Sequence, residues 1–204
     1  MHFSPTSSKT EIRRLFAGRR RACPARAAKS ASDAIARRLL ALPEFASATL
    51  VALYAAIGRE VDLECVIAEC GRLGKRVFLP RFNATVGNYE MVGIENFERD
   101  TKPGRFAIRE PDPQCLPMNK SISHSGQLVW LVPGVAFDLQ GRRLGRGGGF
   151  YDRLLAGRGG FRVGVAYDWQ IVAKLPEQAH DQAMDMVVSE CRVVRPQPQP
   201  AVVG

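Results

Sequence analysis

Short apolar runs separated by amphipathic segments constrain the fold of this 204-residue chain more than any other feature. Residues 128–132 (LVWLV) and 49–56 (TLVALYAA) have the continuous apolar character of strands that are buried on both faces of a sheet. Weaker strand patterns occur at residues 76–79, 91–92, 105–109, 161–166 and 186–188. Because helical patterns lie between several of them, we expect an α/β fold with a mostly parallel sheet. The predicted architecture is a three-layer sandwich whose central sheet is covered by helices on both faces.

The first helix is predicted over residues 9–22. Its apolar residues Ile12, Leu15 and Phe16 recur at helical spacing. Ser8, followed three residues later by Glu11, has the pattern of a capping box at the helix N-terminus. Further helices are predicted over residues 27–42, 62–71 and 169–175 and from residue 151 onward.

Composition and length limit the class of protein. With 46% apolar and 24% charged residues, the chain is neither disordered throughout nor fibrous. It contains no run of about 18 apolar residues, the length that a membrane-spanning helix requires. We expect a single domain over residues 1–195 and a disordered proline-rich tail over residues 196–204.

The net charge of +9 is concentrated near the N-terminus. Residues 9–38 contain ten Lys and Arg side chains but only two acidic ones. Such a segment suits a phosphorylated or polycarboxylate ligand or a nucleic acid, and it is also compatible with no ligand. Charge by itself favours a solvated helix face.

The five cysteines indicate the cellular compartment. Their number is odd and no C-x-x-C pair occurs, which favours reduced thiols over a disulfide framework or a zinc site. The N-terminus also lacks the apolar core of a signal peptide. We therefore expect a cytoplasmic protein that does not associate with a membrane.

The strongest functional signal is the segment of residues 133–153, PGVAFDLQGRRLGRGGGFYDR. Glycines allow backbone N–H groups to approach an anion closely, and arginines bind phosphate oxygens in a bidentate geometry. The segment leaves a buried strand and enters a helix, whose first N–H groups add donors. It therefore predicts a phosphate-binding loop, and the alternative is a flexible surface loop.

Two common phosphate loops are excluded. The segment has no G-K-[ST], so it is not a Walker A loop, and Phe150 replaces the last glycine of a dinucleotide fingerprint. Asp152, in the first turn of the following helix, either caps that helix or holds Mg²⁺ against bound phosphates. Since a triphosphate on the loop requires a metal, the magnesium interpretation is favoured.

This segment resembles the signature of the 5-formyltetrahydrofolate cyclo-ligase family. Further elements resemble that family in the same order along the chain: KTEIR at residues 9–13, EVD at 60–62, KRVFLP at 75–80, IREP at 108–111 and LPEQAHD at 175–181. Phe150 and Arg146 depart from the tyrosines that are frequent in the family at these positions. The resemblance implies that ATP and Mg²⁺ drive the conversion of 5-formyltetrahydrofolate to 5,10-methenyltetrahydrofolate. The γ-phosphoryl group activates the formyl oxygen, N10 attacks, and ADP and phosphate are released.

The resemblance also implies site residues. ATP would be bound by Lys9, Thr10, Glu11, Ile12, Arg13, Arg143, Leu144, Gly145, Arg146, Gly147, Gly148, Gly149, Phe150 and Tyr151. The folate would be bound by Ala55, Glu60, Arg146, Gly147, Gly148, Gly149 and Phe150, with Glu60 on the pterin N–H groups. Lys9 and Arg146 are expected to act in catalysis. Independently of the resemblance, the i, i+4 spacing of Lys9 and Arg13 places them on one helix face.

Asp152 and Asp181 are the metal ligands that the resemblance implies, and Asp181 is the weaker candidate because it could instead cap a helix. The alternative functions are a basic nucleic-acid-binding module and an ATP-using relative with another substrate. No aromatic residues interleave with the basic run, which argues against the first. The expected partners are ATP and 5-formyltetrahydrofolate, with or without a polyglutamate tail, and no nucleic acid. The protein is expected to be a monomer.

Overall fold

The computed structural model describes residues 8–104, 108–119, 126–178 and 181–197. The strands are β1 (Leu50–Ala52), β2 (Arg76–Asn83), β3 (Asn88–Ile94), β4 (Thr101–Pro103), β5 (Arg109–Pro111), β6 (Leu128–Pro133), β7 (Ala136–Asp138), β8 (Arg143–Leu144), β9 (Phe161–Val165), β10 (Ile171–Val172), β11 (Met186–Val188) and β12 (Val193–Val194). The helices are α1 (Lys9–Ala22), α2 (Ala25–Leu40), α3 (Pro43–Ser47), α4 (Glu64–Arg72), α5 (Phe97–Asp100) and α6 (Phe150–Leu155).

Seven of these strands form the central sheet, in the order β12-β11-β9-β6-β1-β2-β3. The five inner strands, from β11 to β2, run parallel to one another. The two edge strands, β12 and β3, are antiparallel to the strands that they pair with. The expected α/β fold with a mostly parallel sheet is confirmed.

Alternate residues of β6 show why this strand is apolar throughout. Val129 and Leu131 pack into a core with side chains from α2, α3 and α4 on one face of the sheet. Trp130 packs into the core of the opposite face with Leu155 of α6 and Phe137 of β7. Helices therefore lie on both faces, although the second face is covered by one short helix together with a small sheet, β10-β7-β8.

Helix α1 packs on the small sheet and not on the central one. Ser8 and Glu11 form the predicted capping box, in which the Ser8 Oγ accepts from the Glu11 N–H at 3.2 Å. Ile12 and Phe16 are buried in one cluster with Leu144 of β8. The basic N-terminal helix consequently lies against the segment that carries the glycine loop.

The strand order places a crevice between β1 and β6. From β1 the chain continues to β2 on one side, whereas β6 and β9 lie on the other side of β1. Where the strand order reverses between two neighbouring parallel strands, the loops that follow them lead to opposite sides. A ligand-binding crevice is then left outside the carboxyl ends of the two strands. The residues that follow β1 and β6 are therefore placed to form a site.

The helix predicted over residues 169–175 is wrong. Asp168–Gln170 form a single 3₁₀ turn, and Ile171–Val172 form β10, which pairs in parallel with β7. Both residues of β10 are β-branched and buried, a combination that favours a strand wherever a neighbouring strand supplies hydrogen bonds. A run this short does not separate the two periodicities.

Several predicted boundaries shift. Strand β1 ends at Ala52 instead of residue 56, because the chain then turns toward the crevice, while β2 continues through Pro80 to Asn83. Residues 105–107 of the predicted strand 105–109 lie outside the described residues, as do residues 198–204 of the predicted tail. In the part of the chain that the structure describes, we find no helix with both the length and the apolar character needed to cross a membrane.

Candidate active site

A cleft of about 230 Å³ opens at the carboxyl ends of β1 and β6. Its walls come from the residues after these strands, the glycine loop, α1 and the segment before β11. The residues predicted from the sequence that line it are Lys9, Arg13, Ala55, Glu60, Arg143, Leu144, Gly145, Arg146, Gly147, Gly148, Gly149, Phe150, Tyr151, Asp152 and Asp181. Segments that are far apart in sequence thus converge at the expected crevice.

The backbone of the glycine loop explains its composition. Gly147 has φ 104° and Gly149 has φ 63°, both in the region that residues with a Cβ rarely adopt. At Gly148, a Cβ would approach the Phe150 ring to 2.6 Å. The three consecutive glycines therefore allow a sharp turn that brings main chain, and not side chains, to the wall of the cleft.

Two arginines of the loop bind carboxylates across the cleft. The Arg143 Nη2 lies 2.8 Å from the Asp152 Oδ1, and the Arg143 side chain is buried. The Arg146 Nη2 lies 2.6 Å from the Glu60 Oε1, although the Arg146 side chain is 54% exposed. Both cations predicted to bind phosphate are therefore neutralised by acids of the same cleft.

Helix α1 closes the cleft with two further cations. The Lys9 Nζ donates to the Asp181 Oδ2 at 2.7 Å and to the Gln178 Oε1 at 3.0 Å. The Arg13 Nε donates to the backbone oxygen of Gly145 at 2.9 Å. As the i, i+4 spacing predicts, Lys9 and Arg13 share the face that meets the cleft.

The two candidate metal ligands lie on adjoining segments. The backbone N–H of Gln182, next to Asp181, donates to the Asp152 Oδ1 at 3.4 Å. Within the described residues, no group of three or more His, Cys, Asp or Glu side chains could hold a metal. Magnesium, however, commonly binds through one or two carboxylates together with substrate phosphates. This pair of carboxylates fits a magnesium ion that arrives with a nucleotide.

Glu60 is buried and heavily bonded. Its Oε1 lies 3.3 Å from the Arg20 Nη1 as well as near Arg146, and its Oε2 accepts from the Ile57 N–H at 3.1 Å. The Tyr167 hydroxyl donates to the backbone oxygen of Glu60 at 3.1 Å. A carboxylate with this many fixed donors is held in one orientation.

Aromatic rings form another part of the wall. The Phe150 ring is 37% exposed and meets the Tyr89 ring edge-on, with centroids 4.9 Å apart. The Tyr151 hydroxyl is buried and has no hydrogen-bond partner among the described residues. Burial raises the pKa of Tyr151, so this hydroxyl remains protonated and able to donate.

The side chains of three predicted ATP-binding residues do not line the cleft. Thr10 is exposed, the Glu11 carboxylate is engaged in the capping box, and Ile12 is buried in the core. The sequence interpretation also missed Arg20, which binds both Glu60 and the Gly134 backbone oxygen. Helical spacing could have found it, because Arg20 lies seven residues after Arg13 and on the same face.

Comparisons with known proteins agree with this site. The family model for the 5-formyltetrahydrofolate cyclo-ligase family matches residues 5–190. A 5-formyltetrahydrofolate cyclo-ligase of Escherichia coli is 33% identical over 179 residues, covering 86% of this chain and 96% of its own. One from Mycolicibacterium smegmatis is 32% identical over 194 residues, covering 91% and 95% of the two chains.

A solved structure shares the fold over almost the whole length. The 5,10-methenyltetrahydrofolate synthetase of Aquifex aeolicus superposes with a TM-score of 0.81 at 33% identity and covers 96% of both chains. The family match, the relatives and the shared fold all extend across the segments that form the cleft. This chain belongs to the 5-formyltetrahydrofolate cyclo-ligase family.

Proposed function

We propose that this chain uses ATP and Mg²⁺ to convert 5-formyltetrahydrofolate to 5,10-methenyltetrahydrofolate, with release of ADP and phosphate. The observation that carries the proposal is the pairing of charges across the cleft. Lys9, Arg143 and Arg146 are each bound to a carboxylate, at 2.7, 2.8 and 2.6 Å respectively. A nucleotide would supply phosphates for these cations, and the carboxylates of Asp152 and Asp181 would then be free to hold its magnesium ion.

In this proposal the nucleotide phosphates bind between α1 and the glycine loop. Lys9 and Arg13 approach from the helix, while the backbone of residues 145–149 and Arg143 approach from the loop. Asp152 and Asp181 would hold the magnesium ion, which neutralises phosphate charge when it is bound. Phosphoryl transfer depends mainly on positioning and charge stabilisation, which these side chains supply.

The folate is placed on the side of Glu60. Its carboxylate accepts the N–H groups of the pterin once Arg146 moves to the nucleotide, and Arg20 stays behind to keep Glu60 in position. Ala55 leaves room for the flat ring, and Phe150 packs on the folate. Arg146 thus links the two substrates, because it lies in the glycine loop and reaches Glu60, the carboxylate that binds the pterin.

The chemistry explains why ATP is needed. A formamide oxygen is a poor leaving group, whereas phosphate is a good one. Transfer of the γ-phosphoryl group to the formyl oxygen therefore prepares the formyl carbon for attack by N10. No Ser, Cys or His nucleophile is required by this sequence of steps.

The oxygen atom that travels with phosphate tests the proposal. The protein is incubated with ATP, Mg²⁺ and 5-formyltetrahydrofolate labelled with ¹⁸O in the formyl group. We expect the absorbance of the methenyl product to rise and the label to appear in the released phosphate. Methenyl product without labelled phosphate would contradict formyl phosphorylation, and no folate product at all would contradict the proposed function.

A pair of neighbouring arginines provides a matched control. Arg13→Ala removes a cation that lines the cleft, whereas Arg14→Ala removes an exposed one on the same helix. Loss of one charge-assisted contact costs about 1.5–3 kcal/mol, so kcat/KM for ATP should fall about 10- to 100-fold in the first variant only. Equal effects of the two substitutions would contradict a phosphate-binding role for Arg13.

The setting of the reaction is also part of the proposal. We propose a monomeric, cytoplasmic enzyme that acts on folates with or without polyglutamate tails. The basic N-terminal segment suits the negative charge of such a tail. All five cysteines are free thiols, as a reducing compartment favours, and none of them lines the cleft.

A further inference from the structure

Glu110 is a second glutamate of the cleft, on the strand β5. Its Oε2 accepts from the backbone N–H of Phe82 at 3.1 Å. Its stem packs against Gly104, where a Cβ would lie only 2.8 Å from the Glu110 Cγ and Cδ atoms. The carboxylate is therefore held by one oxygen and by the packing of its stem.

The other oxygen of Glu110 is unsatisfied. Oε1 is buried and accepts no hydrogen bond from any of the residues that the structure describes. Leaving a buried acceptor without a donor is destabilising, and such an atom in a native fold calls for an explanation. Glu60, in contrast, has both oxygens bonded.

The neighbouring part of the cleft indicates which donor would satisfy Oε1. Pro80, Tyr89, Ile108 and Phe150 line the same cleft and give it apolar and aromatic surface. A flat apolar ring would pack on this aromatic surface, and a single N–H group on the ring would donate to Oε1. The p-aminobenzoyl part of a reduced folate is such a group, since its ring bears N10–H.

We propose that Glu110 accepts the N10–H of the folate and removes its proton during ring closure, an inference that rests on the proposed function. The N10 lone pair forms a bond to the formyl carbon, and the N10 proton passes to the Glu110 Oε1. The bond between the formyl carbon and the phosphorylated oxygen then breaks, and phosphate leaves with that electron pair. The methenyl cation remains, and Glu110 later returns its proton to solvent.

Burial of Oε1 agrees with this role. The oxygen is shielded from water, so a small shift of the lining side chains is needed before the folate reaches it. A shielded base has no water to compete with the substrate proton. General-base catalysis by a positioned side chain typically contributes a rate factor of 10²–10⁴.

The test is the single-turnover rate of methenyl formation in Glu110→Gln, with ATP and folate saturating. The Gln side chain keeps an oxygen for the Phe82 N–H, so the fold is preserved. We expect the rate to fall about 100-fold while the KM for ATP changes by less than about threefold; the folate KM should rise as well, because the Gln amide turns a donor toward N10–H. Glu95→Gln, the same substitution at a side chain that is 89% exposed, should have no effect.

Glu110→Ala supplies a second readout, because it leaves room for a small carboxylate. Sodium formate should restore part of the single-turnover rate, whereas sodium chloride at the same concentration should not. A rate for Glu110→Gln within about threefold of the unmodified protein would overturn the inference, as would a loss confined to the folate KM. In either case the unmodified protein still makes methenyl product, so this failure is distinct from failure of the proposed function.

Discussion

Consecutive arginines, Arg142 and Arg143, bind aspartates in two different settings. Arg142 donates from Nε to the Asp138 Oδ2 at 2.7 Å, and Arg143 donates to the Asp152 Oδ1 at 2.8 Å. Asp138 is completely buried and accepts three further backbone N–H groups, from Gln140, Arg142 and Leu175. Asp152 is 21% exposed at the cleft and, within the described part of the chain, accepts one long hydrogen bond from the Gln182 N–H at 3.4 Å besides the one from Arg143.

The difference separates a structural ion pair from one that a ligand can open. Every donor to Asp138 is fixed by the backbone or by the adjacent turn, so no ligand can replace it without unfolding the loop. Asp152 depends on one side chain, which a phosphate could attract, and a magnesium ion could replace that side chain. The pair of Arg142 and Asp138 therefore stabilises the start of the glycine loop, whereas the pair of Arg143 and Asp152 lies at the cleft, where a ligand can reach it.

The largest effect that sharpens this comparison is on stability. Asp138→Asn removes the charge opposite Arg142 and turns an NH₂ group toward an N–H donor. Breaking a buried ion pair from one side costs about 3–5 kcal/mol, so the free energy of unfolding should fall by at least about 3 kcal/mol. Denaturant titration followed by circular dichroism measures this change.

The matched variant is Asp152→Asn, which should lower the free energy of unfolding by less than Asp138→Asn does, because Asp152 is 21% exposed and the asparagine keeps an oxygen for Arg143. If the cleft variant were the less stable of the two, the distinction between a structural and an exchangeable pair would be wrong.

A smaller effect is expected at Glu60, the carboxylate that we propose binds the pterin. Glu60→Gln replaces one of two acceptors with a donor that faces N–H groups of the substrate. The lost charge-assisted contact costs about 1.5–3 kcal/mol, so the folate kcat/KM should fall about 10- to 100-fold, mainly through KM. The KM for ATP should remain nearly constant, and an equal rise in both KM values would contradict the assignment of Glu60 to the folate.

Arg20 provides the next comparison, because it holds Glu60 without being predicted to contact a phosphate. Arg20→Gln should raise the folate KM about tenfold, which corresponds to about 1.4 kcal/mol, and the ATP KM should not follow. Arg21→Gln, the same change at the adjacent exposed position, is the control. Initial rates over a matrix of both substrates distinguish the two variants.

The smallest effect tests a bond that lies outside the cleft. Ser8→Ala removes the side-chain half of the capping box on α1, which should lower the free energy of unfolding by about 1 kcal/mol. Nucleotide affinity should fall only slightly, because the substitution acts on the nucleotide only by fraying the first turn of α1, which carries Lys9. A large loss of stability would mean that α1 depends on its cap more than on its buried Ile12 and Phe16.

Much of the fold could be predicted because local patterns and tertiary packing agree. The apolar run of β6 and the capped, amphipathic α1 were both identified from sequence, since each is buried in the way that its periodicity indicates. Strand β10 was missed because its two residues form a strand only where β7 supplies the partner edge. Periodicity carries no information on such pairing.

The site divides in the same way. The glycine loop could be predicted from composition, because positive φ and close backbone packing require glycine at Gly147, Gly148 and Gly149. Glu110 could not be selected from many similar residues, and helical spacing selects Arg20 only as a neighbour of Arg13 on one helix face, since the partners of both residues are distant in sequence. An unsatisfied buried oxygen and partners that are distant in sequence leave no pattern in a single sequence.

The central claim is that the ion pairs of the cleft exchange partners when magnesium and nucleotide bind, and titration calorimetry with ATP tests it most directly. In the unmodified protein, ATP should bind more tightly with Mg²⁺ than without it. In Asp152→Asn, metal-free ATP should bind at least as tightly as before, because Arg143 is no longer held by a carboxylate, and the gain from Mg²⁺ should disappear. An undiminished gain from Mg²⁺ in this variant would contradict the account.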